Sequence, residues 1–289
     1  MLRREVGGLA WLVLSGASFV AMSSLMKLPT LDLPTFEVVF FRSTVACLVY
    51  LLVLKECRTA IPRLLRSHRL IWRSLFGFAS FGCYAACLAN MRLSDVSGLF
   101  YTTPIWSFLL GLIVLKERPE RLLVTALLLG FCGMLLVVRP SLQLATPWLL
   151  LAVLGAGLGS LATMSVRLLV VDERPAAIAA GFMAWSTIMA APLAFTNWTW
   201  PSPPALTLLA AIGTFAAISQ LSLTEGYRRA RLVSGTAFDF VRLPMSVAVG
   251  IEAFGEQHGG TTFLGLALVA AGSLLSVLGA SGGRERARE

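Results

Sequence analysis

Ten apolar runs of about 17–25 residues follow one another along this chain of 289 residues, with short polar connections between them. As a helix, each is long enough to cross a hydrocarbon layer roughly 30 Å thick. They extend from Val6 to Leu25, Phe36 to Leu54, Ile71 to Ala89, Val96 to Leu115 and Leu122 to Val138. A second set extends from Pro147 to Val166, Ala176 to Phe195, Ala205 to Leu223, Leu232 to Phe254 and Thr262 to Leu278. Lipid offers no partners to backbone groups, so helices are the fold open to runs of this length. Composition agrees: 57% of the residues are apolar and 13% charged, against about 45–50% and about 25% in soluble domains. The expectation is an all-α polytopic membrane protein with ten transmembrane helices. The first run continues directly into this pattern, so it reads as a span and not as a cleaved signal peptide.

The net charge of +9 raises the question of an anionic partner, and the placement of the charges answers it. With the N-terminus in the cytoplasm, Arg3, Arg4, the group from Lys55 to Arg73, Lys116, Arg118 and Arg121 all fall on that side. So do Arg167, Arg174, Arg228, Arg229, Arg231 and the tail arginines. Lys27, Arg92 and Arg139 fall outside, and Arg42 and Arg242 lie within membrane segments. This is the positive-inside asymmetry, with both termini cytoplasmic. The charge records topology, and nucleic acid is excluded as a partner. The partners expected are the lipid bilayer and a small molecule.

The segments also repeat. Val96 to Val138 and Val233 to Val277 align at a nearly constant offset, which sets Gly111 on Gly250, Glu117 on Glu256 and Gly133 on Gly272, with Pro104 one residue from Pro244. Five crossings per half is an odd number, so the second half must enter the membrane from the opposite side. The expected domains are a first repeat over 1–141, a second, inverted repeat over 142–280 and a basic tail over 281–289. Inverted repeats with interrupted helices at matching positions place a substrate site near the bilayer midplane.

Ionisable groups at membrane depth are costly and mark candidate sites. Asp239 and Arg242 are three apart and share a helix face. They are either a structural ion pair or a binding site, and Asp239 is the candidate for coupling to protons. Arg42, a turn and a half into the second segment, either binds an anionic substrate group or pairs with an acidic side chain. Glu37 reads as a helix-start carboxylate at the positive end of the dipole, and Glu225 as an ion pair with Arg229. Tyr84, Tyr101 and Gln220 offer neutral hydrogen-bonding groups, and Trp106 an aromatic face. Pro104 and Pro244 are the candidate hinges. The small-residue runs GAGLGS, GFAS and GFCG report close helix packing. They leave the oligomeric state between a monomer and a weak homodimer.

Cys47, Cys57, Cys83, Cys87 and Cys132 are expected as free thiols. No metal and no cofactor is indicated, and no phosphate-binding loop or catalytic set is present, so the chain does not read as an enzyme.

The strings GLIVLKERP (Gly111 to Pro119) and GIEAFGE (Gly250 to Glu256), together with FFRSTVA (Phe40 to Ala46) and EGYRRARLVSGTAFDFVRLP (Glu225 to Pro244), resemble the paired EamA domains of the drug/metabolite transporter superfamily. The resemblance spans nearly the whole chain. It implies ten helices, a cavity between the repeats onto which the segments of Tyr101, Trp106, Gln220, Asp239 and Arg242 face, and a location in the inner membrane. It also implies secondary transport of a small polar or zwitterionic metabolite, with efflux preferred to uptake. The alternatives are uptake of a nucleotide-like metabolite or vitamin, or a passive channel or membrane scaffold.

Overall fold

The computed structural model describes residues 2–28, 32–116, 121–138, 147–230, 232, 235, 239–256 and 259–282. Every element among them is helical. The helices are α1 (Leu2–Met26), α2 (Thr35–Val53), α3 (Lys55–Leu64), α4 (His68–Asn90), α5 (Leu93–Phe100) and α6 (Thr103–Ile113). They continue as α7 (Arg121–Val138), α8 (Pro147–Leu169), α9 (Pro175–Ala194), α10 (Pro203–Arg229), α11 (Arg242–Phe254) and α12 (Gly260–Gly282). Three-residue 3-10 turns follow α9 at Phe195–Asn197 and precede α11 at Asp239–Val241.

Among the described residues, seven stretches are long and apolar enough to cross a membrane, one of them formed by α5 and α6 together. Shorter apolar helices lie at Arg121–Val137 and Gly260–Ser276. The chain is a multi-pass membrane protein. Glu117, and the basic tail beyond Gly282, fall outside the described residues.

Four long pairings organise the bundle. α1 lies along α10, α4 along α8, α2 along α9, and α7 along α12. In lipid such contacts depend on close backbone approach more than on hydrophobic driving force. The α7–α12 contact shows this at its limit. A methyl group added at Gly133 would stand 2.5 Å from the Gly265 carbonyl oxygen, and one added at Gly265 would stand 2.5 Å from that of Gly133. Helix α3 is the polar exception. It buries Cys57, Ile61 and Leu64 against α9 and turns its charges outward.

The fourth apolar segment is interrupted where Tyr101 and Thr102 form a tight turn, with the Thr102 amide donating to the Leu99 carbonyl at 3.2 Å. Pro104 sits in the first turn of α6 and Pro244 in the first turn of α11, positions where a missing backbone donor costs nothing. The prolines therefore begin second half-helices instead of kinking continuous ones. In the ninth segment, expected as one run from Leu232, Leu232 and Gly235 are helical, and the 3-10 turn at Asp239–Val241 leads into α11 at Arg242.

Candidate functional site

At the centre of the bundle, α1, α2, α4, α8, α9 and α10 surround a cavity of about 160 Å³, closed on the remaining side by the two interrupted segments. Its lining gathers most of the candidate residues. Arg42, on α2, is 1% exposed. Its guanidinium carbon lies 3.6 Å from the centroid of the Phe81 ring, and its Nε points at Met22 Sδ, 3.4 Å away. The Tyr84 hydroxyl donates to Ser23 Oγ at 3.0 Å. Tyr101 stacks on Phe240, with centroids 5.8 Å apart.

Asp239 and Arg242 come together at 2.9 Å, each side chain 14% exposed. Arg242 Nη2 also reaches to 3.4 Å from Ser15 Oγ on α1. The pair bridges the junction between the 3-10 turn and α11. Pro104 also lines this space, whereas Pro244 does not. Trp106 lies outside the cavity. It is 45% exposed on the opposite face of α6 from the buried Pro104, Ser107 and Gly111.

One charged lining residue was missed from the sequence. Arg73 counts there among the cytoplasmic basic residues, but the structure buries it in α4 at 4% exposure. Its Nη2 donates to Gln220 Oε1 at 3.2 Å, and its guanidinium carbon lies 4.1 Å from the Phe182 ring centroid. Its Nε and Nη1 have no hydrogen-bond partner among the described residues. The signal that could have found it is Gly77, one turn further on. Nη1 fills the space that a side chain at Gly77 would need.

The ends of the bundle differ. At the end holding Met26 and Asn90, a vestibule of about 840 Å³ is lined by Lys27, Asp32, Asn90, Arg92, Asp95 and Trp148, among others. Arg92 pairs with Asp95 at 3.0 Å, and that hydrogen bond is the main reason its already basic guanidinium is raised further. Here too, Glu256 Oε1 accepts from the Leu93 amide at 2.9 Å and lies 3.4 Å from Lys27 Nζ.

Glu37 sits in the first turn of α2 as expected, but it is fully buried. Its Oε2 accepts from the Thr199 amide at 3.1 Å and from the Thr199 hydroxyl at 3.0 Å. At the opposite end, α3 and the start of α4 are tied to the α8–α9 connection. Arg63 meets Glu173 at 2.6 Å, Arg69 meets Asp172 at 2.7 Å, and Arg174 pairs with Glu56. Glu225 is held by Arg228 and Arg229 at 2.9 and 3.2 Å.

A multi-pass helical bundle enclosing a polar, charged cavity can hold a small polar or ionic ligand at membrane depth. Residues 6–139, just under half of the chain, match the EamA-like transporter family. It is 28% identical over 222 residues to the pseudopaline exporter CntI of Pseudomonas aeruginosa (strain UCBPP-PA14), covering 76% of this chain and 78% of that one. It is 28% identical over 276 residues to a riboflavin transporter of Rhizobium johnstonii, covering 94% and 91%. A third relative, an S-adenosylmethionine uptake transporter of Rickettsia conorii, is 22% identical over 270 residues, covering 93% and 91%. A solved crystal structure shares the fold with a TM-score of 0.75 at 18% identity, covering 96% of this chain and 97% of that one.

Proposed function

We propose that the protein is a secondary carrier that exports a small polar, amino-acid-like metabolite across the inner membrane by alternating access between two inverted five-helix repeats. The observation that carries the reading is the buried cavity holding Arg42, Arg73, Gln220, Asp239 and Arg242. Charges are expensive at that depth unless they serve a substrate or ion. The pairing of helices supports inversion. Exchanging the halves turns the α1–α10 pair into α8–α4, and it leaves α2–α9 and α7–α12 each matched to itself.

In this reading the α3 end faces the cytoplasm, where its ion pairs close the carrier, and the vestibule faces outward. Pro104 and Pro244 begin the half-helices that move, and Asp239 is the proton site. Export follows the name of the pseudopaline exporter. The second reading, uptake of a vitamin or nucleotide-like metabolite, follows the names of the riboflavin and S-adenosylmethionine transporters.

Counterflow in proteoliposomes tests the carrier. A labelled solute should accumulate transiently against an excess of the same unlabelled solute inside and saturate with concentration. Linear, non-exchanging flux would make the protein a channel, and absence of flux for every amino acid, dicarboxylate, phosphate ester, vitamin and nucleoside tried would leave a scaffold. Loading vesicles of known orientation gives the direction.

A further inference from the structure

The charges lining the central cavity do not balance. Three arginines and one aspartate face it, and the aspartate is already engaged with Arg242 at 2.9 Å. Arg42 and Arg73 are left. Among the described residues neither has a carboxylate at ion-pairing distance. Arg42 rests on a thioether and the face of Phe81. Arg73 rests on the face of Phe182 and one amide oxygen, with two of its nitrogens unpartnered. A buried cation with only such neighbours has lost its water without gaining a counterion.

The direction of the Arg73 side chain sharpens this. It starts on the second turn of α4, where a long basic side chain ordinarily bends back to the headgroup layer. Instead it runs inward, and the missing side chain of Gly77 makes the room. Phe81, which carries Arg42, is one turn beyond Gly77 on the same helix. The two guanidiniums are thus staged about 6 Å apart along α4, at 1.5 Å per residue. Each presents a planar fork of donors suited to carboxylate or phosphate oxygens.

We propose that this pair is a two-point anion clamp, so that the substrate of the carrier bears two negative charges, as a dicarboxylate or a phosphate ester does. This rests on the carrier reading above and narrows its substrate class. The Asp239–Arg242 pair, being neutral as a unit, contributes hydrogen bonding and not net charge.

Purified full-length protein in detergent tests the clamp through its unfolding midpoint in acetate, succinate and inorganic phosphate, at pH 7.5 and matched ionic strength. Binding to the folded state raises the midpoint with concentration. Succinate or phosphate should raise it above the acetate value, and the one that does so more identifies the anionic group. Arg42→Gln and Arg73→Gln should each erase the difference. Arg73→Lys, which keeps the charge, should retain part of it. Gly77→Ala, which leaves both arginines in place but fills the space used by Arg73, should weaken it.

Equal midpoints in the three anions, or a difference that survives Arg73→Gln, would overturn the clamp. Counterflow separates this failure from failure of the carrier. Saturable exchange of a neutral amino acid without any dianion preference leaves a carrier and removes the clamp. Absence of exchange for every solute removes the carrier itself.

Discussion

Glu256 reaches from the end of α11 to the start of α5, where its Oε1 accepts a hydrogen bond from the Leu93 amide at 2.9 Å. The amide is one of the donors that a helix N-terminus leaves without an internal partner, and the carboxylate also meets the positive end of the α5 dipole. A buried hydrogen bond to a charged group contributes about 1.5–3 kcal/mol. Glu256→Ala should lower the unfolding midpoint clearly, whereas Glu256→Gln, which keeps the acceptor, should lower it less. Lys27 lies 3.4 Å from the same carboxylate and is partly exposed, so Lys27→Ala should cost no more than about 1 kcal/mol. Thermal unfolding of the three variants checks the order.

The Asp239–Arg242 pair yields the second prediction. Removing one partner of a buried ion pair leaves an uncompensated charge, at about 3–5 kcal/mol. Arg242→Gln should therefore be strongly destabilised, and adding Asp239→Asn should restore much of the loss. Asp239→Asn alone also leaves Arg242 uncompensated but keeps an oxygen facing it, so it should lose less stability than Arg242→Gln. In the protein that remains folded it should remove the pH dependence of transport, measured as counterflow between pH 5.5 and 8. Pair rescue with full transport would make the two residues structural and exclude Asp239 as the proton site.

At the α3 end, the pairs Arg63–Glu173, Arg69–Asp172 and Glu56–Arg174 are exposed, so each is worth only about 0–1 kcal/mol. Their leverage is on populations, because about 1 kcal/mol changes a two-state ratio about fivefold. In a background lacking the native cysteines, Leu223→Cys places a thiol on the cavity wall. Glu173→Lys should speed its labelling from the α3 side with an impermeant maleimide several-fold, with little change in the unfolding midpoint. Adding Arg63→Glu should slow it again.

Much of this arrangement was legible in the sequence because it follows from period and cost. Arg42 and Arg242 interrupt apolar runs, and a charge within such a run is conspicuous whatever surrounds it. Arg73 was hidden because it follows Arg66 and Arg69 closely. Its burial depends on Gly77 and on Phe182 of α9, a contact between residues over a hundred positions apart. Trp106 was placed on the right segment but on the wrong face. The buried positions Pro104, Ser107 and Gly111 are spaced three and four apart and define the inward stripe. The turn at Tyr101 and Thr102, which sets where that stripe begins, is not a property of any single residue.

Cys57 offers a test away from the membrane core. Its thiol is buried under α3, and burial, with Glu56 beside it, pushes it up to about 11 from a usual 9.0. At pH 8 the thiolate fraction is then about one in a thousand, so maleimide should label Cys57 only after denaturation. The folded state holds this proton more tightly than the unfolded one. Stability from this group should therefore fall as pH rises from about 9 to 11, and Glu56→Gln should ease the effect. Alkylation kinetics and unfolding at pH 8, 9 and 10 measure both.

The seam between α7 and α12, where carbonyl oxygens occupy the places that methyl groups would take, leaves no clearance for one helix to slide past the other. If the two halves rock as proposed, motion at this seam is limited to rotation about the line of contact, and the seam would act as a fulcrum. The cavity lies to the side of that line, so a tilt at Gly133 would shift the arginines relative to it. A bulkier residue at Gly133 or Gly265 would then jam the protein without touching anything it binds.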